Sequence, residues 1–219
     1  MPRESYQNQL ADLERRVLEM ADLVTERTAQ SLEAFTYKDE ALARTIIDGD
    51  AEVNERYLEL EGACIDLLAL QQPVAGDLRF VAASFKIITD LERIADLATN
   101  LGQYTLQAER NRYPDIDISY IGEEALSMVG SAMTAYETRD TALAREVAAR
   151  DDEVDDRCER ASDLVVRDLI ETEVADETTF ADVRRMFLTI RDVERVGDHA
   201  VNVAARVLYM VENDDELIY

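Results

Sequence analysis

The sequence predicts an all-α protein of two tandem three-helix bundles, with six long antiparallel helices related by an internal repeat. Apolar residues make up 47% of the 219 residues and recur at helical spacing over long stretches. Glycine and proline, which interrupt helices, number only 7 and 3. Segments 88–100 and 190–202 match each other. We therefore predict a first repeat at 1–112 and a second at 113–219.

The two matching segments read ITDLERIADLATN at 88–100 and IRDVERVGDHAVN at 190–202. Aligning Glu92 with Glu194 also aligns four further pairs of identical polar residues: Asp90 with Asp192, Arg93 with Arg195, Asp96 with Asp198, and Asn100 with Asn202. In each copy Glu, Asp and Asn recur every fourth residue and form one inclined stripe on a helix. Two carboxylates one turn apart repel each other, so a cation between them is expected.

In the first half, the apolar spacing predicts three helices, at about 4–36, 39–70 and 76–110. Gly49 should bend or weaken the early part of the second helix. Pro73 should end that helix, because proline cannot continue the backbone hydrogen bonds.

The segment 111–119, with Pro114 at its centre, is the predicted break between the halves. The pattern then starts again and predicts three more helices, at about 119–137, 140–173 and 179–212. Thr178 and Thr179 are the predicted N-caps of the last helix. Short connections between consecutive long helices make neighbours antiparallel, so each half should be an up-down-up bundle.

The net charge of −25 disfavours binding to nucleic acid and to anionic membrane surfaces. The acidic residues are spread along the chain, and Lys38 and Lys86 are the only lysines. This balance suits a protein that works in concentrated salt, as in a halophile, although an ordinary acidic cytosolic protein is the alternative. With no signal-peptide pattern and no run of about 18 apolar residues, we expect a cytoplasmic protein without membrane insertion.

The two cysteines, Cys64 and Cys158, lie within apolar helical patterns, one in each half. They have no CxxC spacing, so they are interpreted as small core residues and not as metal ligands or a disulfide.

The acidic stripes lie beside the core faces of neighbouring antiparallel helices, which can turn them toward a shared seam. Each half can then bring together four oxygen-bearing side chains: Asp50, Asn54, Glu92 and Asp96 in the first, and Asp151, Asp155, Glu194 and Asp198 in the second. Hard oxygen ligands suit Mg, Ca, Mn or ferric iron better than structural zinc. More than one carboxylate pair per seam leaves room for a multinuclear cluster.

His199 is the only histidine and points about a third of a turn away from Asp198. We interpret it, with Asn100 and Asn202, as a supporting residue or a possible additional ligand. A single histidine also argues against a ferritin-like di-iron oxidase. No phosphate loop or nucleophile motif appears in the sequence, so we assign no catalytic residue.

A simpler interpretation of the acidic pairs is a solvated surface. Arg93, Arg191 and Arg195 are available to form ordinary ion pairs with these carboxylates. The repetition of the whole pattern, together with its partner helix, is what favours metal binding over this alternative.

Four motifs resemble the PhoU family of phosphate-uptake regulators: ERIAD with its following Asn, ERVGDHAVN, QQPVAGDLR at 71–79, and DDEVDD at 151–156. The resemblance covers essentially the whole chain. It implies two tandem three-helix bundles whose E/D-x-x-x-D motifs bind multinuclear iron or zinc clusters in some members. It also implies a cytosolic homodimer that restrains phosphate uptake through a phosphate ABC transporter and its sensor kinase.

Three motif pairs carry over from this resemblance: Glu92 with Asp96, Glu194 with Asp198, and Asp151 with Asp155. The first half departs from the family pattern, because Asn54 stands where an Asp is expected and Ala95 replaces a usual glycine. The first site should therefore hold a cation more weakly than the second. QPxAxDLR has no clear counterpart in the second half, which argues against symmetric partner binding.

The sequence thus predicts a non-enzymatic helical regulator of phosphate uptake that binds metal at its acidic seams. It would dock against a transporter subunit, a sensor kinase or both. One alternative is a helical interaction module without a metal requirement, and another is a metal-dependent hydrolase of phosphate compounds.

Overall fold

The computed structural model describes residues 2–71, 75–107, 113, 116–171 and 176–217. These residues form α-helices and no strand, as the predicted fold class requires. The helices are α1 Pro2–Tyr37, α2 Glu40–Asp48, α3 Asp50–Gln71, α4 Ala75–Gln107, α5 Ile118–Thr138, α6 Thr141–Glu171 and α7 Glu177–Glu212.

The helix predicted at 39–70 is divided at Gly49 into α2 and α3. Arg27 of α1 donates a hydrogen bond to the Gly49 carbonyl and forms an ion pair with Glu52. A Cβ at Gly49 would lie 2.5 Å from Arg27 Nη1, so the guanidinium occupies the space that a side chain would need. The bend predicted at this glycine is therefore a full interruption of the helix.

Aspartates cap the N-termini of four helices by accepting hydrogen bonds from backbone N–H groups: Asp39 for α2, Asp117 for α5, Asp140 for α6 and Asp176 for α7. The predicted caps Thr178 and Thr179 are wrong. Asp176 accepts from both the backbone N–H and the hydroxyl of Thr179, which places the two threonines inside the helix. A carboxylate before the first turn also interacts favourably with the positive end of the helix dipole.

Some predicted boundaries fall outside the described residues. They are the stop at Pro73, the break centred on Pro114, and the ends of helices at 110 and 173. Elsewhere the boundaries agree closely, since α1 ends at Tyr37 and α7 ends at Glu212.

Each half folds as a bundle of three long helices, with α1, α3 and α4 in the first and α5, α6 and α7 in the second. The short helix α2 packs mainly on α4 and α1, with a small core of its own formed by Ala34, Ala43 and Ile46. The main hydrophobic core runs without interruption through both halves.

The two halves meet where α4 packs against α7 and α1 packs against α5. Helices α4 and α7 are antiparallel, because Arg79 near the start of α4 reaches Met210 near the end of α7, while Tyr104 near the end of α4 reaches Asp192. The centre of the molecule is therefore a four-helix arrangement, with α3 on one flank and α6 on the other.

Two aligned aspartates of the repeated segments join the halves across this interface. Asp90 Oδ1 lies 2.9 Å from His199 Nδ1 and accepts a hydrogen bond from Asn202 at 3.3 Å. Asp192 is completely buried and accepts from the Tyr104 hydroxyl at 2.9 Å. The repeat thus places one buried and one half-buried aspartate, each with its polar partners, at the junction of the two bundles.

Both cysteines are buried and carry free thiols, which confirms their interpretation as core residues. Burial raises the pKa of each thiol to about 12. Among the described residues, no helix is both long and apolar enough to span a bilayer.

Candidate metal-binding seams

The four carboxylates of the second half lie along the contact between α6 and α7, which we call the second seam: Asp151, Asp155, Glu194 and Asp198. Asp151 and Glu194 are half-buried, whereas Asp155 and Asp198 are exposed. The row therefore runs from the edge of the core out to solvent. None of the four forms a hydrogen bond or ion pair with another described residue.

Asp151 is the innermost member of the second seam. Its Oδ1 atom is buried and has no hydrogen-bond partner among the described residues. It lies against Gly197, where a Cβ would be 3.1 Å from the oxygen. A buried carboxylate oxygen without a donor is costly, so a positively charged ligand at this point would remove an existing penalty.

Burial and mutual repulsion raise the pKa values of the second seam. The pKa of Asp151 is raised to about 6, first by burial and then by the charges of Asp155, Asp198, Asp152 and Glu194. The pKa values of Asp155 and Glu194 are raised for the same two reasons. Burial and the neighbouring carboxylates thus both disfavour the charged forms, so a cation placed among these side chains would be stabilised by them.

The four side chains of the first half lie along α3 and α4, which we call the first seam: Asp50, Asn54, Glu92 and Asp96. Asn54 donates a hydrogen bond to Asp50 Oδ2 at 2.8 Å, and Thr99 donates to Asp50 Oδ1 at 3.2 Å. Both oxygens of the inner aspartate are thus satisfied. Thr99 is not among the residues predicted from the sequence, and its aligned residue in the second half, Val201, cannot donate a hydrogen bond.

An arginine also lies beside the first seam. Arg93 Nε is 3.5 Å from Glu92, and its Nη1 atom is 3.5 Å from Asp96. Burial is the main cause of the raised pKa values of these two carboxyls, and Arg93 opposes it. The aligned Arg195 forms no ion pair within the described residues. The second seam therefore has more uncompensated negative charge than the first.

The donor chemistry of the second seam fits a hard cation, because all four side chains offer carboxylate oxygens and one oxygen is buried without a partner. No group of three or more His, Cys, Asp or Glu side chains in the described parts of the chain converges as ligands around a metal do. Repulsion keeps like charges apart unless a cation lies between them.

The supporting residues predicted from the sequence lie elsewhere. His199 and Asn202 contact Asp90 at the junction of the halves, and neither forms a hydrogen bond with a seam carboxylate among the described residues. His199 is close enough to Glu92 of the first seam to oppose the rise in the pKa of that carboxyl. Asn100 is half-buried and makes no side-chain hydrogen bond with the described residues.

The fold and the two seams place the chain in the class of all-α proteins built from two similar three-helix bundles, each with an acidic seam. The family model described as the PhoU domain matches both repeats, over residues 17–105 and 118–207. The chain belongs to the PhoU family.

Curated relatives match nearly the full length of the chain. The phosphate-specific transport system accessory protein PhoU homolog of Pseudomonas putida is 29% identical and covers 97% of this chain and 82% of the relative. The homolog of the same name from Pseudomonas aeruginosa is 30% identical and covers 97% of this chain and 87% of the relative.

Two solved structures share the fold. The crystal structure of PhoU from Pseudomonas aeruginosa has a TM-score of 0.89 at 29% identity, covering 95% of this chain and 100% of that one. The phosphate transport system regulatory protein PhoU from Streptococcus pneumoniae has a TM-score of 0.88 at 26% identity, covering 95% and 98%.

Proposed function

We propose that this protein is a negative regulator of phosphate uptake and phosphate homeostasis. It acts by protein–protein contact with a phosphate ABC transporter subunit, its sensor kinase or both. The observation that carries the proposal is the tandem match to the PhoU domain along both repeats. The names of its relatives as accessory and regulatory proteins of phosphate transport support it further.

The proposed role is non-enzymatic and cytoplasmic, and the working unit is a homodimer. The relatives are named as accessory or regulatory proteins and not for a reaction. The net charge of −25 disfavours nucleic acid as the partner and favours proteins with basic surfaces.

The second part of the proposal is a metal ion at the second seam, held by Asp151, Asp155, Glu194 and Asp198. A bound cation would neutralise these carboxylates and favour close packing of α6 on α7. The buried, unpartnered Oδ1 atom of Asp151 supports this site. The first seam would bind more weakly, because it has one carboxylate fewer and Asp50 already accepts two hydrogen bonds.

The family resemblance suggests multinuclear iron or zinc as the metal. The oxygen ligands alone would also suit Mg, Ca or Mn.

The regulatory role is tested by deleting the gene and following phosphate uptake in phosphate-rich medium. We expect increased uptake and altered expression of phosphate-responsive genes, both restored by the wild-type gene. Unchanged uptake together with unchanged expression would remove the regulatory proposal.

The metal proposal is tested by metal analysis of purified protein and of the variants Glu194→Ala and Asp198→Ala. Both variants should lose bound metal. Glu159→Ala, an exposed acid on the outer face of α6, is the matched control and should retain it. Equal metal content in all the proteins, or none in the wild type after reconstitution, would favour the alternative of acidic stripes that serve only as solvated surface.

A further inference from the structure

Helix α3 has a second apolar face that no part of the described chain covers. Leu58 is 61% exposed and Ile65 is 52% exposed. With three small exposed residues they form a line that we call the outer seam: Ala51, Leu58, Gly62, Ile65 and Ala69. The spacing of seven, four, three and four residues is that of the contact line between two packed helices. The residues that α3 buries in the core lie on its opposite side.

The second repeat shows which residues occupy the positions equivalent to the outer seam on a helix that faces solvent. Aligning Asp50 with Asp151 matches the core of α3 to that of α6, so that Val53 corresponds to Val154 and Leu60 to Ala161. In this register the first three residues of the outer seam correspond to exposed acids: Ala51 to Asp152, Leu58 to Glu159, and Gly62 to Asp163. The last two, Ile65 and Ala69, correspond to the exposed apolar residues Val166 and Ile170, so the two helices differ over the first three positions. At these three positions the chain has carboxylates on α6 but apolar residues on α3. This difference indicates that something covers α3.

The shape of the outer seam suits another helix. At Gly62 no atom lies within 4 Å of the position a Cβ would occupy. The distance between packed helices depends on the side chains at the contact, so a glycine at the centre permits close approach. Leu58 and Ile65 lie on either side of it, one turn away in each direction.

The charges beside the outer seam select the partner. Glu55, Glu59 and Asp66 line one edge, and Glu61 lies beyond the other. Glu59 already pairs with Arg16 at 3.2 Å, whereas Glu55 and Asp66 form no ion pair within the described residues. A second copy of this chain packed here would bring like charges together, which disfavours that arrangement. A helix with basic flanks would neutralise them.

We propose that the outer seam of α3 docks an amphipathic helix of a partner protein, with an apolar line flanked by lysines and arginines. The proposal names the surface for the regulatory contact described above and so rests on that proposed function. The apolar line of the partner helix contributes affinity by packing on the outer seam, as in other helix-in-groove complexes. Its basic flanks contribute specificity by pairing with the acids beside the seam. Since α6 carries acids at three of the five equivalent positions, including the one that corresponds to Leu58, binding should favour the first repeat.

The test uses the full chain and a synthetic helical peptide with a leucine line and lysine flanks, followed by fluorescence anisotropy at a physiological ionic strength of about 0.15 M. Leu58→Glu introduces the residue that the second repeat has at this place. It should weaken peptide binding at least about tenfold. Ile65→Gln, which adds no charge, should weaken binding in the same direction. Leu164→Glu, an equally charged change at an exposed leucine of α6, should leave affinity within about twofold.

Three results would overturn the proposal. They are absence of peptide binding to the wild type, equal weakening by Leu58→Glu and Leu164→Glu, and a wild-type dimer in sedimentation that Leu58→Glu converts to monomers. The last result would assign the outer seam to a second copy. Peptide binding that depends on Leu58 and Ile65, combined with unchanged phosphate uptake on gene deletion, would support the seam while removing the regulatory role.

Discussion

Gly197 of α7 lies directly against the carboxylate of Asp151 on α6, where a Cβ would stand only 3.1 Å from Asp151 Oδ1. The glycine lets the inner carboxylate of the second seam lie between the two helices. In the first repeat the aligned residue is the buried Ala95, and the inner carboxylate, Asp50, is held instead by hydrogen bonds from Asn54 and Thr99. The same motif therefore has two different environments.

Gly197→Ala should change cation binding more than stability. Alanine gains about 1 kcal/mol of helix propensity over glycine, but its methyl group must displace the Asp151 carboxylate. We expect a nearly unchanged melting temperature for the metal-free protein and a weaker second site in calorimetric titration with Mn²⁺. Gly130→Ala, at an exposed helical glycine with open space around it, is the control and should gain stability with unchanged Mn²⁺ affinity. Identical behaviour of the two variants would contradict this account.

Asp151→Asn should stabilise the metal-free protein at neutral pH. The pKa of Asp151 is about 6 in the fold and near 3.8 when unfolded, so the folded state binds the extra proton between these values. The ionised group therefore costs stability that appears as pH rises from about 4 to 6 and persists above. At pH 7 the asparagine variant should gain on the order of 1 kcal/mol, reduced from the full shift because the group is half exposed to solvent.

The measurement is chemical denaturation in the presence of a chelator at pH 4 and pH 7. The gain should be absent at the lower pH. Asp163→Asn, an exposed position on the same helix, controls for the loss of one negative charge. A gain of the same size for both variants would assign the effect to net charge alone.

Asn54→Asp should convert the first seam into a copy of the second. The change removes the hydrogen bond to Asp50 Oδ2 and adds a fourth carboxylate. We expect the metal-free protein to melt about 2–4 °C lower, which corresponds to about 1 kcal/mol for a chain of this size. Mn²⁺ should bind the first seam more tightly and restore the loss. Asn54→Ala loses the same hydrogen bond without adding charge, so a gain in affinity there would refute the electrostatic explanation.

Tyr104→Phe should weaken the junction between the two halves. The Tyr104 hydroxyl donates to Asp192 Oδ2 at 2.9 Å, and Asp192 is fully buried. Burial and this hydrogen bond raise the pKa of Tyr104 to about 12, so the hydroxyl remains a donor at neutral pH. Removing it should lower the free energy of unfolding by about 1–3 kcal/mol in urea denaturation. Tyr209→Phe, at a tyrosine without a side-chain hydrogen bond among the described residues, should cost far less.

Periodicity was sufficient to predict the helices and their order, because each long helix buries one continuous apolar stripe. The break at Gly49 was only partly predictable. Its cause, the guanidinium of Arg27 at the Gly49 carbonyl, comes from a helix distant in sequence. The cap of α7 was misassigned because Asp176 and Thr178 are both good N-cap residues and only the backbone decides between them.

The candidate site was predicted at the level of which helices carry it. Spacing alone placed Glu194 and Asp198 beside Asp151 and Asp155. It could not show that Asp151 has a buried oxygen without a partner, because that depends on how closely two helices approach. The role of Asp90 was also hidden, since its partners His199 and Asn202 belong to the other half of the chain.

Helix α1 is antiparallel to α5, since Leu32 lies against Gly122 near the start of α5 and Glu14 pairs with Arg139 just after its end. The antiparallel packing of α4 on α7 and of α1 on α5 has a consequence for any half-length version of this chain. A single repeat produced alone would keep its three helices but leave one apolar wall facing water. The surface that normally covers it, in the other repeat, is formed by the equivalent pair of helices running in the opposite direction. Two such fragments would therefore be expected to pair about a twofold axis and rebuild the molecule from separate pieces.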